Sequence, residues 1–216
     1  DLWSEPQQDM NLLRQLGGVD AVNTFGTFAG AGFRGAVMDG GCVPNHVAWA
    51  ARPPILQTAN SNVAHGTACY GINFGDGTGN ASGKGVMPLG QGIFAAYTGY
   101  LSGAGDRNAL TANILTNQGC FQTNSWGDAQ ITTYTTISAQ MDSILYNNDI
   151  TILQSQSNTG NQTSRPQAWA KNMVSVGGAF HFDNLNWDDD RWNGGASIGP
   201  AADGRIKPDI CNAYDV

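Results

Sequence analysis

An acid, an imidazole and a carboxamide stand out in this sequence for their surroundings. Asp39 follows the apolar run Phe33-Arg34-Gly35-Ala36-Val37-Met38. A carboxylate at that point is partly desolvated and needs a partner. His65 is one of three histidines, with His46 and His181, and lies in Asn62-Val63-Ala64-His65-Gly66-Thr67-Ala68-Cys69. The glycine and small residues behind it let other backbone come close to the ring. Asn158 lies in Gln154-Ser155-Gln156-Ser157-Asn158-Thr159-Gly160, where its amide is able to donate into a cleft. Each has an ordinary reading alone: an Asp-Gly turn, a helix-start histidine, an Asx-turn. Together they offer an acid, a proton-transferring ring and a hydrogen-bond donor, the side-chain types that general acid–base catalysis uses.

Residues of this kind must be held by elements. The apolar spacing of Met10, Leu12, Leu13, Leu16, Val19 and Val22 predicts one amphipathic helix over 9–24, closed at Gly17-Gly18 or at Gly26. Strands are predicted at 33–38, 92–97, 120–126, 150–153 and 173–176, and helices at 63–74, 110–118 and 133–146. In the last helix Ile137, Met141, Ile144 and Leu145 share one face. Strands alternating with helices imply an α/β fold, a mainly parallel sheet with helices on both faces. Chemistry in such sheets gathers beyond the carboxyl ends of the strands. Asp39, Asn124-Ser125 and Ser157-Asn158 all fall at such ends.

Composition narrows the field further. The chain has 10 Lys+Arg against 17 Asp+Glu, a net charge of −7, with 12% charged and 41% hydrophobic residues. That apolar share supports a sizeable core and excludes a disordered chain. The acidic balance argues against a nucleic-acid partner. No apolar run approaches the roughly 18 residues of a membrane span. The 29 glycines and 8 prolines follow no period, which excludes collagen and suggests many tight loops. Few lysines and many Asn, Gln, Ser and Thr suit a secreted, extracellular enzyme. Asp1-Leu2-Trp3-Ser4 has neither a basic nor an apolar leader segment and reads as an already processed start or as the cloned start of a domain.

The blocks around these residues resemble those of the subtilisin-like serine proteases, the subtilases, in the same order over roughly 19–210. Asp39-Gly40-Gly41 stands where the family has its catalytic Asp-Ser/Thr-Gly, and His65-Gly66-Thr67 matches its His-Gly-Thr. Gly85-Val86-Met87-Pro88 resembles Gly-Val-Ala-Pro. Asn124-Ser125-Trp126-Gly127 is similar to the substrate-lining Asn-x-Ser-x-Gly, one residue shorter before the serine, with Trp126 where the family often has Leu. Ser157-Asn158-Thr159-Gly160 resembles the oxyanion loop Gly-Asn-x-Gly. Gly199-Pro200-Ala201-Ala202-Asp203-Gly204-Arg205-Ile206-Lys207-Pro208-Asp209 closely resembles the family's Gly-Pro-x-x-Asp-Gly-Arg-x-Lys-Pro-Asp. The resemblance implies a subtilisin-like three-layer sandwich in which residues 1–216 form a single, incomplete catalytic domain. It implies a serine endopeptidase with Asp39 orienting His65, His65 as general base, and Asn158 donating to the oxyanion. Protein or peptide substrate would pair with Asn124, Ser125, Trp126 and Gly127 as an added strand.

The family's nucleophile block, Gly-Thr-Ser, is missing from this sequence. Ser197 aligns with a structural serine before Gly-Pro, and Ser125 with the substrate strand. The serine is therefore expected on a separate C-terminal segment or second chain, as in a nicked two-chain enzyme. The alternatives are a subtilase-like pseudoenzyme or peptide-binding scaffold lacking the nucleophile, and the Ser-Glu-Asp acid peptidases, which carry Glu where His65 stands. Structural Ca²⁺ is a further expectation, at Asp76 in Gly75-Asp76-Gly77 or at Asp188 and Asp190 in the acidic stretch 183–194. No catalytic cofactor is expected. Cys42, Cys69, Cys120 and Cys211 lack zinc-type spacing; bridges and buried thiols both remain open. The cysteine four residues after His65 resembles that of proteinase K-like subtilases, which implies an unbridged thiol beneath the ring.

Overall fold

The computed structural model describes residues 10–26, 28–58, 63–101, 106–192 and 194–214. Asn62 of the histidine block, Asn193 of the acidic stretch and residues 1–9 lie outside them. In chain order the elements are α1 (Met10–Leu16), α2 (Val19–Gly26), β1 (Arg34–Asp39), β2 (Ile55–Leu56), α3 (Ala64–Phe74), β3 (Gln91–Ala96), α4 (Tyr97–Leu101), α5 (Arg107–Thr116), β4 (Gly119–Asn124), α6 (Thr136–Asn147), β5 (Thr151–Ser155), β6 (Val174–Ala179) and β7 (Ile210–Ala213). The strands form one seven-stranded sheet in the order β2-β3-β1-β4-β5-β6-β7, every pair parallel.

Strand periodicity decides which face each side chain serves. Ala36 and Met38 of β1, with Ile93 and Ala95 of β3, join Leu110, Ile114, Met141 and Ile144 in a core beneath α5 and α6. Val37, Phe94 and Ala96 turn the other way and meet Tyr70 and Phe74 of α3, with Trp49. A central strand coated on both faces reads as an unbroken apolar run, as Ala36-Val37-Met38 does. Asp39 has the parity of Val37 and therefore projects toward α3. On α3, Gly66, Tyr70 and Phe74 recur every fourth residue and form the buried face. His65, beside Gly66, emerges at the carboxyl end of the sheet.

The predicted helix over 9–24 is two helices, because Gly18 adopts φ +69° and ends the first. The third predicted strand stops at Asn124, so Ser125 and Trp126 extend beyond the sheet. β2, β7 and α4 carry too little period to be read. β2 has two residues, and three of the four residues of β7 are exposed. What seats β7 is a polar clasp. Lys207, 5% exposed, donates from Nζ to Asp209 Oδ2 at 2.6 Å and to Met173 O at 2.9 Å. Asp209 Oδ2 also accepts from Ser175 N at 2.8 Å and Ser175 Oγ at 2.9 Å. The Lys-Pro-Asp block thus ties the β7 approach to β6.

Candidate active site

His65 Nδ1 lies 2.8 Å from Asp39 Oδ2. The other carboxylate oxygen of Asp39 accepts from Gly40 N at 2.7 Å. An ionised carboxylate only accepts, so Nδ1 carries the proton toward Asp39. The Asp39 side chain is 4% exposed and that of His65 42%, so the acid is sealed while the ring faces solvent. Cys69, one turn along α3, places Sγ 3.6 Å from Nδ1. The hydrogen bond to Asp39 is the main force pushing the His65 pKa up to about 10; the Cys69 contact adds to it and burial opposes it.

Gly66 and Thr67 explain the rest of the block. A Cβ on Gly66 would lie 2.1 Å from Gly41 O and 3.0 Å from Asp39 Cβ, so only glycine lets α3 dock this close to the end of β1. Thr67 Oγ1 accepts from Val43 N at 2.9 Å and fastens the loop after Asp39. Cys42 beside it is fully buried, and desolvation pushes its thiol up to about 12. No disulfide joins Cys42, Cys69, Cys120 or Cys211.

Asn158 is exposed just past β5. Ser157 before it holds φ +117°, a region that favours glycine. Its Oγ accepts from Gln130 Nε2 at 2.6 Å. The loop is clamped from the segment before Pro200. Ser197, 1% exposed, sits 2.7 Å from Thr159 Oγ1 and accepts from Thr159 N at 3.1 Å. Ser197 N donates to Ser157 O at 2.7 Å. Gly160, at φ +64°, lets Gly194 O approach to 2.2 Å of where a Cβ would stand.

At the end of β4 the four substrate-segment residues divide. Ser125 is exposed, whereas Asn124 is 3% exposed and turns its amide inward. Asn124 Nδ2 donates to Gln154 Oε1 at 3.1 Å and its Oδ1 accepts from Gln122 Nε2 at 2.8 Å. Trp126 stacks on Tyr97 with ring centroids 5.0 Å apart. Gly127 lies against the Arg165 stem; a Cβ there would stand 2.5 Å from Arg165 Cγ.

One cleft of about 390 Å³ brings His65, Ser125 and Asn158 together over the carboxyl ends of β4 to β7. Asp39 lies behind its histidine wall. Asn124 also lines this cleft, whereas Trp126 and Gly127 do not. Gly177, Gly178, Asn212 and Tyr214 close its far side. Sequence reasoning missed these, and it missed Gln154 and Gln156, which are buried and also line it. Polar residues at the buried parity of β5 were the available signal.

The expected cation ligands are scattered. Asp76 Oδ1 accepts from Thr78 N at 2.8 Å, and Arg52 Nη2 stands 3.9 Å from Oδ2. Burial raises the Asp76 pKa, but the Thr78 hydrogen bonds and Arg52 together hold it below its ordinary value. Asp188 is exposed and Asp190 half-buried in the 183–190 loop. Among the described residues, the one group of three or more His, Cys, Asp or Glu with ligand atoms within 4.8 Å is Asp39, His65 and Cys69. No helix among the described residues is long and apolar enough to cross a membrane.

No protein-family model matches the sequence, and no curated protein matches it at significance. Solved structures do match in three dimensions. The prenylagaramide maturation protease PagA superposes with a TM-score of 0.65 at 16% identity, over 88% of this chain and 66% of that one. The psychrophilic subtilisin-like protease Apa1 from the Antarctic psychrotroph Pseudoalteromonas sp. AS-11 gives 0.64 at 16% identity, over 91% and 45%. The epidermin leader peptide processing serine protease EpiP from Staphylococcus aureus gives 0.65 at 14% identity, over 99% and 59%. The chain thus spans less than two thirds of the length of each of these three. The all-parallel seven-stranded sheet covered by helices thus has the fold of the subtilisin-like proteases.

Proposed function

We propose that the chain supplies the acid, the base and the oxyanion donor of a serine endopeptidase. The observation that carries this is the 2.8 Å contact between a sealed Asp39 and a cleft-facing His65, with Asn158 on the same cleft. Asp39 fixes Nδ1, so Nε2 is the nitrogen that takes the proton from a serine hydroxyl and returns it to the leaving amine. The serine oxygen adds to the scissile carbonyl, and the Asn158 amide donates to the resulting oxyanion. Expulsion of the amine leaves an acyl-enzyme, which water hydrolyses by the same proton path.

The nucleophile belongs in this reading to a segment outside residues 1–216. The serines of this chain near the site are otherwise placed. Ser197 is buried on Thr159, Ser157 accepts from Gln130, and Ser125 lies within the 124–127 substrate segment. Peptide substrate is supported by the protease neighbours and by Ser125, exposed on the cleft just after β4. A structural Ca²⁺ would fit the 183–190 loop better than Asp76. Asp189 Oδ1 and Asp190 Oδ1 are buried there without a hydrogen-bond partner among the described residues, whereas Asp76 is committed to Thr78 and Arg52.

Fluorophosphonate labelling of the intact protein, followed by mass spectrometry, tests the reading. The expected label falls on a serine outside residues 1–216, and His65→Ala abolishes labelling while the protein still folds. A preparation in which no polypeptide takes up the probe would favour the peptide-binding scaffold.

A further inference from the structure

Behind the substrate segment, on the α5/α6 face of the sheet, lies a second cavity of about 10 Å³. Its walls include Arg107, Gln122, Asn124 and Trp126. Three wall residues each bring a buried polar atom with no hydrogen-bond partner among the described residues: Arg107 Nε, Trp126 Nε1 and Gln122 Oε1. The first two only donate and the third only accepts. Unpaired buried groups of this kind are costly. A cavity of this size holds about one water, and a buried water needs about two to four polar partners.

We infer that this cavity is the site of one permanently held water that accepts from Arg107 Nε–H and Trp126 Nε1–H and donates to Gln122 Oε1. The water closes a ring. From Gln122 the path runs through Nε2 to Asn124 Oδ1 at 2.8 Å, then from Asn124 Nδ2 to Gln154 Oε1 at 3.1 Å. Gln154 Nε2 donates to Trp126 O, and Trp126 Nε1 returns the path to the water. The ring fixes the backbone after β4 against β5, whose end bears Asn158. Arg107 anchors it from outside, through Nη2 on Asp128 Oδ2 and Nη1 on Gln140 Oε1 at 3.1 Å. Arg107 and Gln122 are thereby positioning residues for the segment that receives the substrate. This role, though not the water itself, rests on the endopeptidase reading.

High-resolution diffraction from the intact protein decides the water. A single peak within hydrogen-bond reach of all three atoms is expected; a dry cavity, or Arg107 Nε turned directly onto Gln122 Oε1, overturns it. The positioning role is read from Trp126→Phe, which keeps the ring stacked on Tyr97 and deletes the donor, with Gln122→Met as the second variant. With a tetra-alanine p-nitroanilide, KM rises about tenfold and kcat stays within about twofold, as lost ground-state positioning requires. Unmoved KM in both variants, or kcat and KM falling together with the melting temperature, overturns the role. Should the parent protein hydrolyse nothing, the endopeptidase reading fails by itself. The water is then still judged by diffraction, and the role by calorimetric affinity for acetyl-tetra-alanine, with the same tenfold weakening expected.

Discussion

Close to the chemistry, glycine at position 66 matters as much as the histidine before it. The Gly41 carbonyl and the Asp39 Cβ occupy the space any side chain would need. Gly66→Ala is therefore expected to push α3 off the end of β1, at a cost of about 1–3 kcal/mol for overpacking. The same shift lengthens the Asp39–His65 contact, and a displacement near 1 Å costs about 100-fold in rate. Thermal melting and kcat measured together check this; a melting loss with kcat intact would show that the close approach serves packing alone. Asn158→Ala probes a different step. It removes one exposed donor and leaves the clamp on Thr159 in place, so kcat should fall about 10²–10³-fold with stability unchanged.

The element that presents Asn158 has no regular structure of its own. It is a loop held by another loop, through Ser197 and Gly160. Ser197→Ala leaves the Thr159 amide without its acceptor in a buried site, which costs about 1–3 kcal/mol. It should lower kcat by loosening Asn158 and leave fluorophosphonate labelling in place. Loss of the label in this variant would instead make Ser197 the nucleophile. The sequence showed β1, β3 and β5 as short apolar runs, and α3 and α6 as helical stretches between turn residues. It placed Asp39, His65 and Asn158 at the right ends for the same reason. It did not show β7, whose exposed side chains carry no period and whose seat is the Lys207–Asp209–Ser175 clasp. Nor did it show the Gln122-Asn124-Gln154 ladder, because polar residues at buried positions look like loop residues until strand pairing aligns them. Asn124 reads as a substrate contact in sequence, and it does line the cleft, while its amide is engaged in this buried ladder.

For the molecule as a whole, the proposed catalytic role of the Asp39–His65 pair would link activity to stability with opposite signs. The folded pKa of His65 is raised from 6.5 to about 10, chiefly by its hydrogen bond to Asp39. Between those values the folded state holds a proton that the unfolded chain has released. Stability from this pair is therefore fully present below about pH 6.5 and is lost as pH rises through the folded value. Asp209 works the other way. Burial raises its pKa, but Lys207 and Ser175 together hold it below 3.8, so its contribution is present above that value and lost as acid is added. Maximal stability should lie between these limits. General-base chemistry, however, needs the imidazole neutral, so activity should climb on the alkaline side, above the usual histidine range, where stability is already falling. Asp39→Asn removes the partner that raises the pKa. The variant should lose the alkaline decline in melting temperature, and the His65 ring proton should titrate nearer 6.5 by NMR. Its residual rate should level off at lower pH. A melting profile that still fell on the alkaline side in this variant would trace the decline to another group and dissolve the link between the two effects.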